Sequence, residues 1–415
     1  MKPPKVAHVT TVDMSLRYLL LNQMAYLREQ GYDVTGVSAA GDSVQAIEAA
    51  GVRHVPVPLT RAYSPTADLR ALGELVRVFR RERFDLVHTH TPKAGLLGQW
   101  AAKLAGVPVR VHTIHGLYLP ADLTRLKRRL FVGLERLTMS PSHRNLSQNP
   151  EDVPTAIRER ISPADRIELI GNGIDLSAFD PGGHPPERRR ATRARLGLDA
   201  RHVVVGTVAR FVAEKGYREL LDAARVVARQ VSDVRFLLIG PSQPEKADAL
   251  HPGIIEEMGL SGTVSYLGHR DDVADLYAAM DLHALPSYRE GFPRAPMEAA
   301  AMGIPSVVSD VRGCRQTVDH GVTGLIVPPK NVGALADALL ELIRNDAKRA
   351  DFGRTAREKA LAEFDERLVF RKVADVYEQL LGGSASVPAV SASSLRRSRT
   401  SVAGVSEPVL RGRPQ

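Results

Sequence analysis

Short apolar runs alternating with helical stretches, in two series along one chain, constrain this sequence more than any other feature. Lys5 to Thr10, Val34 to Ser38, Val52 to Val57, Leu86 to Thr89, Val109 to Thr113 and Arg166 to Ile170 have the length and composition of buried strands. After the first of them Leu16, Leu19, Leu20, Met24 and Leu27 recur at helical spacing until Gly31, and Thr66 to Glu82 and Lys93 to Ala105 repeat that period. Strands joined by helices of this length run parallel, in a sheet covered on both faces. Residues 181–200 change character, with Pro181-Gly182-Gly183, Pro185-Pro186 and Arg188-Arg189-Arg190, a composition typical of a linker. A second series follows, with strands expected at Val203 to Val208, Phe236 to Ile239, Val264 to Leu267, Leu282 to Leu285, Ser306 to Val308 and Gly324 to Val327.

The expected fold is α/β, with two doubly wound Rossmann-like domains at residues 1–180 and 201–364. A last helix, 365–381, repeats apolar residues at Leu368, Val369, Val373, Val376, Tyr377 and Leu380. Residues 382–415 show no periodicity and are expected to be a disordered tail.

The single cysteine, Cys314, excludes an internal disulfide framework and a cysteine-rich zinc site, and suits a reducing compartment. No stretch approaches the roughly 18 apolar residues of a membrane-spanning helix. The chain enters its first strand almost directly, so a cytoplasmic protein is expected. A formal net charge of +9 suits anionic partners. Nucleic acid is not expected among them, because aromatics make up only 5% of residues and do not interleave with basic ones.

The chemistry concentrates at crossovers. Glu290-Gly291-Phe292-Pro293-Arg294-Ala295-Pro296-Met297-Glu298 follows the strand at Leu282 and precedes the one at Ser306. In open α/β sheets ligands lie outside the carboxyl ends of such strands, where helix N-termini offer unpaired N–H groups. Glu290 is expected on the loop and Glu298 in the first turns of the helix, both facing one crevice. Gly206-Thr207-Val208-Ala209-Arg210-Phe211-Val212-Ala213-Glu214-Lys215-Gly216 ends the first strand of the second series, and Val111-His112-Thr113-Ile114-His115-Gly116 leaves a strand of the first.

Together these segments resemble the retaining glycosyltransferases of family 4. The two glutamates form that family's E-x7-E pattern, and Gly206 to Gly216 is similar to its G-x-x-x-R-x-x-x-x-K-G element. The resemblance covers about Lys5 to Leu381. It implies a GT-B fold whose domains face across a cleft, with the acceptor side on the first domain and the last helix crossing back to it. It also implies transfer of a hexose or N-acetylhexosamine, with retention, from a nucleoside diphosphate sugar expected to be UDP-linked. The acceptor would be lipid-linked or a polysaccharide precursor. By this resemblance Arg210 and Lys215 hold the donor diphosphate, where fixed cations stabilise the departing charge. Glu290 bonds donor-sugar hydroxyls with the backbone of Gly291 and Phe292 close by, and Glu298 takes the ribose hydroxyls. His115 stands by the reacting carbon as a catalytic residue, Gly268, His269 and Arg270 border the base, and Ser309 faces the same region. Two readings stay open beside this one: a sugar-nucleotide epimerase of the same fold, and a non-catalytic sugar-nucleotide-binding module.

No cofactor is expected, and no metal. D-x-D, by which metal-dependent glycosyltransferases hold a sugar nucleotide through a cation, appears nowhere. His88 and His90 share a strand face but supply too few ligands, with no third histidine expected near them. The sequence departs from the family where many members have a Gly-Gly loop, here Thr10-Thr11-Val12-Asp13-Met14-Ser15, so Asp13 and Ser15 are the expected polar contacts toward the acceptor. A usual glutamate after Gly313 is Gln316. Lys93, at a helix N-terminus, is a candidate for an acceptor phosphate. Finally, residues 123–137 place Leu123, Leu126, Leu130, Leu134 and Leu137 on one stripe beside Arg125, Lys127, Arg128, Arg129 and Arg136. Such a helix either packs its leucines on its own domain or makes a peripheral contact with an anionic membrane at the inner face of the plasma membrane.

Overall fold

The computed structural model describes residues 2–62, 64–117, 119, 124–244, 246 and 248–382. Residues 383–415 of the expected tail and Leu123 lie outside the described residues. The strands are β1 (Lys5–Val12), β2 (Asp33–Ala39), β3 (Arg53–Pro56), β4 (Leu86–Thr89), β5 (Val109–Ile114), β6 (Arg144–Ser147) and β7 (Ile167–Leu169), then β8 (Val203–Val208), β9 (Val234–Ile239), β10 (Val264–Gly268), β11 (Leu282–Leu285), β12 (Ser306–Ser309) and β13 (Gly324–Val327). They form two sheets, β3-β2-β1-β4-β5-β6-β7 and β10-β9-β8-β11-β12-β13, in which neighbouring strands run parallel. In both sheets the strand order reverses beside the first strand of the series, which is where open α/β folds hold ligands. Central strands are buried along their whole length, as β4, β11 and β12 are, because helices cover both faces.

β6 has no counterpart in the expected series. Arg-Asn-Leu-Ser carries one aliphatic residue, yet Asn145, Leu146 and Ser147 are all buried. Asn145 Nδ2 donates to Ser162 Oγ at 3.0 Å, which engages the amide's donor end inside the domain.

The expected linker is also corrected. Pro186–Arg195 is a helix, begun by a proline in its first turn, and it is fastened to the second domain. The buried Arg193 guanidinium bonds the Asp281 carboxylate and the Ala279 carbonyl, and Arg189 reaches Asp281 at 2.6 Å. Composition suggested solvent; Asp281, far off in sequence, holds the arginines down.

The chain passes between the domains twice, side by side. Ile174 N–H donates to the Phe364 carbonyl at 2.8 Å and Glu366 N–H donates back to the Ile174 carbonyl at 3.1 Å. Asp365 then caps the helix Glu366–Leu381 by accepting from Arg367 N–H at 2.8 Å. This helix returns to the first domain, where Val369, Phe370, Val373 and Tyr377 pack with Val6, Leu20, Met24 and Leu27. Each such burial contributes about 1.5–3 kcal/mol, so the terminal helix completes the first domain's core. Among the described residues no helix is long and apolar enough to cross a membrane.

Candidate active site

The chain after β8 forms a short turn, Ala213–Lys215, before the helix Tyr217–Ala228. That turn aims Lys215 at the loop after β11, where its ammonium donates to Glu290 Oε1 at 2.6 Å. Ser287 Oγ donates to the same oxygen at 2.7 Å. Arg210 donates to Gln243 Oε1 at 3.0 Å and to Glu214 Oε1 at 2.7 Å. Both predicted diphosphate cations are therefore held by internal acceptors, and an incoming anion would have to compete for them.

Glu298 lies on the helix Arg294–Ala301 with its carboxylate buried against Tyr277, whose hydroxyl donates to Oε2 at 3.1 Å. Burial pushes its pKa up, with Arg294 and the Tyr277 hydroxyl opposing. Glu298, Arg210, His269 and Arg270 line one pocket of about 430 Å³ at the carboxyl ends of β8, β9 and β10, and Tyr18 of the first domain closes its edge. Arg270 is paired with Asp272 at 2.6 Å, and the Gly268 carbonyl accepts from Gly240 N–H at 2.8 Å. Ser309 ends β12 outside that pocket's lining, buried, with no hydrogen-bond partner to its hydroxyl among the described residues.

The domains meet at glycines. A Cβ on Gly291 would lie 2.0 Å from the His115 carbonyl oxygen, and one on Gly116 would lie 2.6 Å from Gly291 Cα. Only glycine permits this backbone approach, and Gly116 also has φ +127°. Two amides lock the contact: Asn149 Nδ2 donates to the Gly291 carbonyl at 2.5 Å and Asn172 Nδ2 to the Phe292 carbonyl at 2.7 Å. Arg312 adds a 2.7 Å bond to Asp152, and Gln316, at the departure from the family pattern, donates to Glu151 at 2.9 Å. His115 stands at this seam. Its Nδ1 faces Gln148 Oε1 at 3.1 Å and its Nε2 faces His90 Nδ1 at 3.2 Å, and burial holds its pKa down to about 4, so the ring is neutral.

Three sequence expectations change. Asp13 is buried and accepts from Ser43 N–H at 2.7 Å, so it fastens the first domain's own loop rather than facing an acceptor; Ser15, two residues on, is half-buried. Lys93 is also buried, holding Asp68, the Ala62 carbonyl and, at 3.0 Å, Thr60, which ties it to internal partners instead of a phosphate. A third histidine does stand near His88 and His90: pairing of β1 with β4 sets His8 opposite His88, and nitrogens of all three lie within 4.8 Å of one another. Hydrogen bonds to His8, Tyr377, Thr113 and His115 engage the nitrogens of His88 and His90. Sequence reading missed Gln148, Asn149 and Asp152 because it missed β6, whose carboxyl end presents them; a Gln-Asn-Pro after a buried strand would have been the signal.

The family described as "Glycosyl transferase 4-like domain" matches residues 17–173, and "Glycosyl transferases group 1" matches residues 188–359. The chain belongs to the GT4-type glycosyltransferases. This glycosyltransferase is 26% identical over 385 residues to the capsular polysaccharide biosynthesis glycosyltransferase CapM of Staphylococcus aureus, covering 92% of this chain and 98% of CapM. It is 27% identical over 378 residues to the UDP-Gal:alpha-D-GlcNAc-diphosphoundecaprenol alpha-1,3-galactosyltransferase of Escherichia coli, covering 90% and 96%. Its fold matches that of Anabaena HepE, solved with UDP and glucose, at a TM-score of 0.76 and 23% identity over 91% of this chain and 100% of that one. The two parallel sheets are thus a GT-B pair.

Proposed function

We propose that this glycosyltransferase moves a hexose or N-acetylhexosamine, with retention of anomeric configuration, from a UDP-sugar to a lipid-linked or polysaccharide-precursor acceptor. The observation that carries the reading is that Arg210 and Glu298 line one pocket, while the Lys215–Glu290 pair stands next to Gly291, where the first domain's backbone meets the second. CapM and the Escherichia coli enzyme act, by their names, in capsular polysaccharide synthesis and on a diphosphoundecaprenol acceptor, which supports the acceptor class.

In this reading Glu298 accepts hydrogen bonds from the vicinal ribose hydroxyls and Gly268, His269 and Arg270 border the base. Arg210 and Lys215 leave their carboxylate partners in part to hold the diphosphate. As the glycosidic bond breaks, negative charge grows on the departing oxygen, and these fixed cations, in a site the domains shield from water, stabilise it without a metal ion. Glu290, already tied to Lys215 and Ser287, is a hydroxyl-binding group for the sugar rather than an uncommitted nucleophile. The leaving phosphate takes the acceptor proton on the same face, which retains configuration.

A peripheral membrane contact belongs to the same proposal. On the helix Arg125–Met139 only Val132, Thr138 and Met139 are buried, while Leu126, Leu130 and Leu137 are exposed by 79%, 61% and 45% beside exposed Arg125, Lys127 and Arg129. Those three leucines are left unpacked by their own domain, which favours the lipid alternative.

UDP release in a donor screen with membrane extract as acceptor tests the transfer. Glu290→Ala or Arg210→Ala at wild-type turnover would remove that residue's role. Sugar conversion by donor alone would point to an epimerase, and binding without turnover to a non-catalytic module.

A further inference from the structure

His115 stands within a hydrogen-bonded chain whose direction a single backbone group determines. The Phe292 carbonyl only accepts, so the Asn172 amide end 2.7 Å from it is the NH2. The Asn172 carbonyl then faces Gln148 at 3.2 Å, which obliges Gln148 to present its NH2 there and its own carbonyl to His115 Nδ1 at 3.1 Å. His115 Nδ1 therefore carries the proton, and Nε2 of the neutral ring is a lone pair. His90 Nδ1 must donate to it at 3.2 Å, leaving His90 Nε2 to accept from His8 Nδ1 at 3.0 Å. His8 Nε2 in turn accepts from the Tyr377 hydroxyl at 3.3 Å, the Tyr377 oxygen accepts from His88 Nδ1 at 2.6 Å, and His88 Nε2 accepts from Thr113 at 2.7 Å. One placement of protons satisfies every link, and His8, His88, His90 and Tyr377 are all buried.

The chain runs from the loop that carries Glu290 in the second domain, through His115, to the terminal helix that packs on the first. We propose that docking of Asn172 on the Phe292 carbonyl fixes His115 as its Nδ1–H tautomer, with His90, His8 and Tyr377 as positioning residues for the transfer. The proposal rests on the reading of His115 as part of the transfer site. With both ring nitrogens engaged, His115 contributes ring placement and its carbonyl against Gly291, not proton transfer, because protonating Nε2 means reversing or breaking the link to His90. If Asn172 loses the carbonyl, Gln148 is free to turn over and the direction is no longer imposed.

Imidazole nitrogen NMR on the full chain, with signals assigned by single histidine substitutions, reads the tautomers directly. At pH 7.5 the expected result is Nδ1–H for His115, His90, His8 and His88. His115 as Nε2–H or as imidazolium overturns the proposal, as does a zinc ion bound stoichiometrically at His8, His88 and His90, since a metal would replace these hydrogen bonds. Asn172→Ala is expected to give a mixture of His115 tautomers; an unchanged single tautomer overturns control by domain contact. Tyr377→Phe keeps the ring and is expected to lower kcat roughly tenfold or more at unchanged donor KM, as misplacement of a reacting geometry does. Unchanged kcat in Tyr377→Phe, with the tautomers altered, overturns the positioning role. Full activity of His115→Ala would instead defeat the reading of His115 as a transfer-site residue, while the NMR result would still decide the chain's direction.

Discussion

The Lys215 ammonium lies 2.6 Å from Glu290 Oε1, joining the turn after β8 to the loop after β11 across the carboxyl edge of the second sheet. The side chains are 13% and 11% exposed, so each is the other's main compensation. Lys215→Ala is expected to lower turnover by about a hundredfold or more through loss of a fixed cation at the departing phosphate. It should also cost about 3 kcal/mol of stability by leaving Glu290 unpaired. In a double-mutant cycle, Lys215→Ala with Glu290→Ala should lose clearly less stability than the two single losses summed. Additive losses, measured by denaturant unfolding, would refute the coupling.

Gly291→Ala places a methyl group where the His115 carbonyl already sits, 2.0 Å away. The expected outcome is a domain seam held apart, with transferase activity reduced at least tenfold, in line with the sensitivity of turnover to closure. UDP affinity should change little, because the Glu298 pocket lies almost entirely on the second domain. Calorimetric titration of UDP beside turnover separates the two, and equal loss of both would contradict the assignment.

Burial, reinforced by Asp152, pushes the Glu135 carboxyl up to about 7 from its ordinary 4.5. The folded state therefore keeps a proton that the unfolded chain releases, so this group makes stability fall as pH rises from 4.5 to about 7, and the loss persists above that. Glu135→Gln should raise the thermal midpoint at pH 8 by an amount equivalent to ~1–3 kcal/mol. At pH 4.5 it should do little. Equal effects at both pH values, in a scan of thermal unfolding, would show that Glu135 is not the titrating group.

Leu126→Ser with Leu130→Ser removes exposed apolar area from a basic helix without touching a core. Co-sedimentation with anionic vesicles should drop while the unfolding midpoint stays in place. Wild-type binding should weaken as salt rises, because charge attraction is screened within about a Debye length of 10 Å at 0.1 M. Salt-independent binding, or none, would remove the membrane contact.

Much of the fold was legible because it is written locally. Continuous apolar runs such as Leu282 to Leu285 and helical periods such as Thr66 to Glu82 follow from neighbours a few residues apart. β6 escaped for the same reason: Asn145 is a buried strand residue only because Ser162 is there to accept its amide hydrogen. The helix Pro186–Arg195 escaped because Asp281, which anchors Arg189 and Arg193, is far along the chain.

By itself the sequence determined two series of parallel strands except β6, the crossover that carries Glu290 and Glu298, and the turn that presents Arg210 and Lys215, since strand length, helix period and glycine placement act over short spans. Only the tertiary structure decided what these groups touch. It withdrew Asp13 and Lys93 into internal bonds, set His8 beside His88 and His90, and brought Asn172 to the Phe292 carbonyl. Those partners stand on different strands or different domains, and parallel pairing and domain docking join residues whose separation along the chain leaves no local pattern to read.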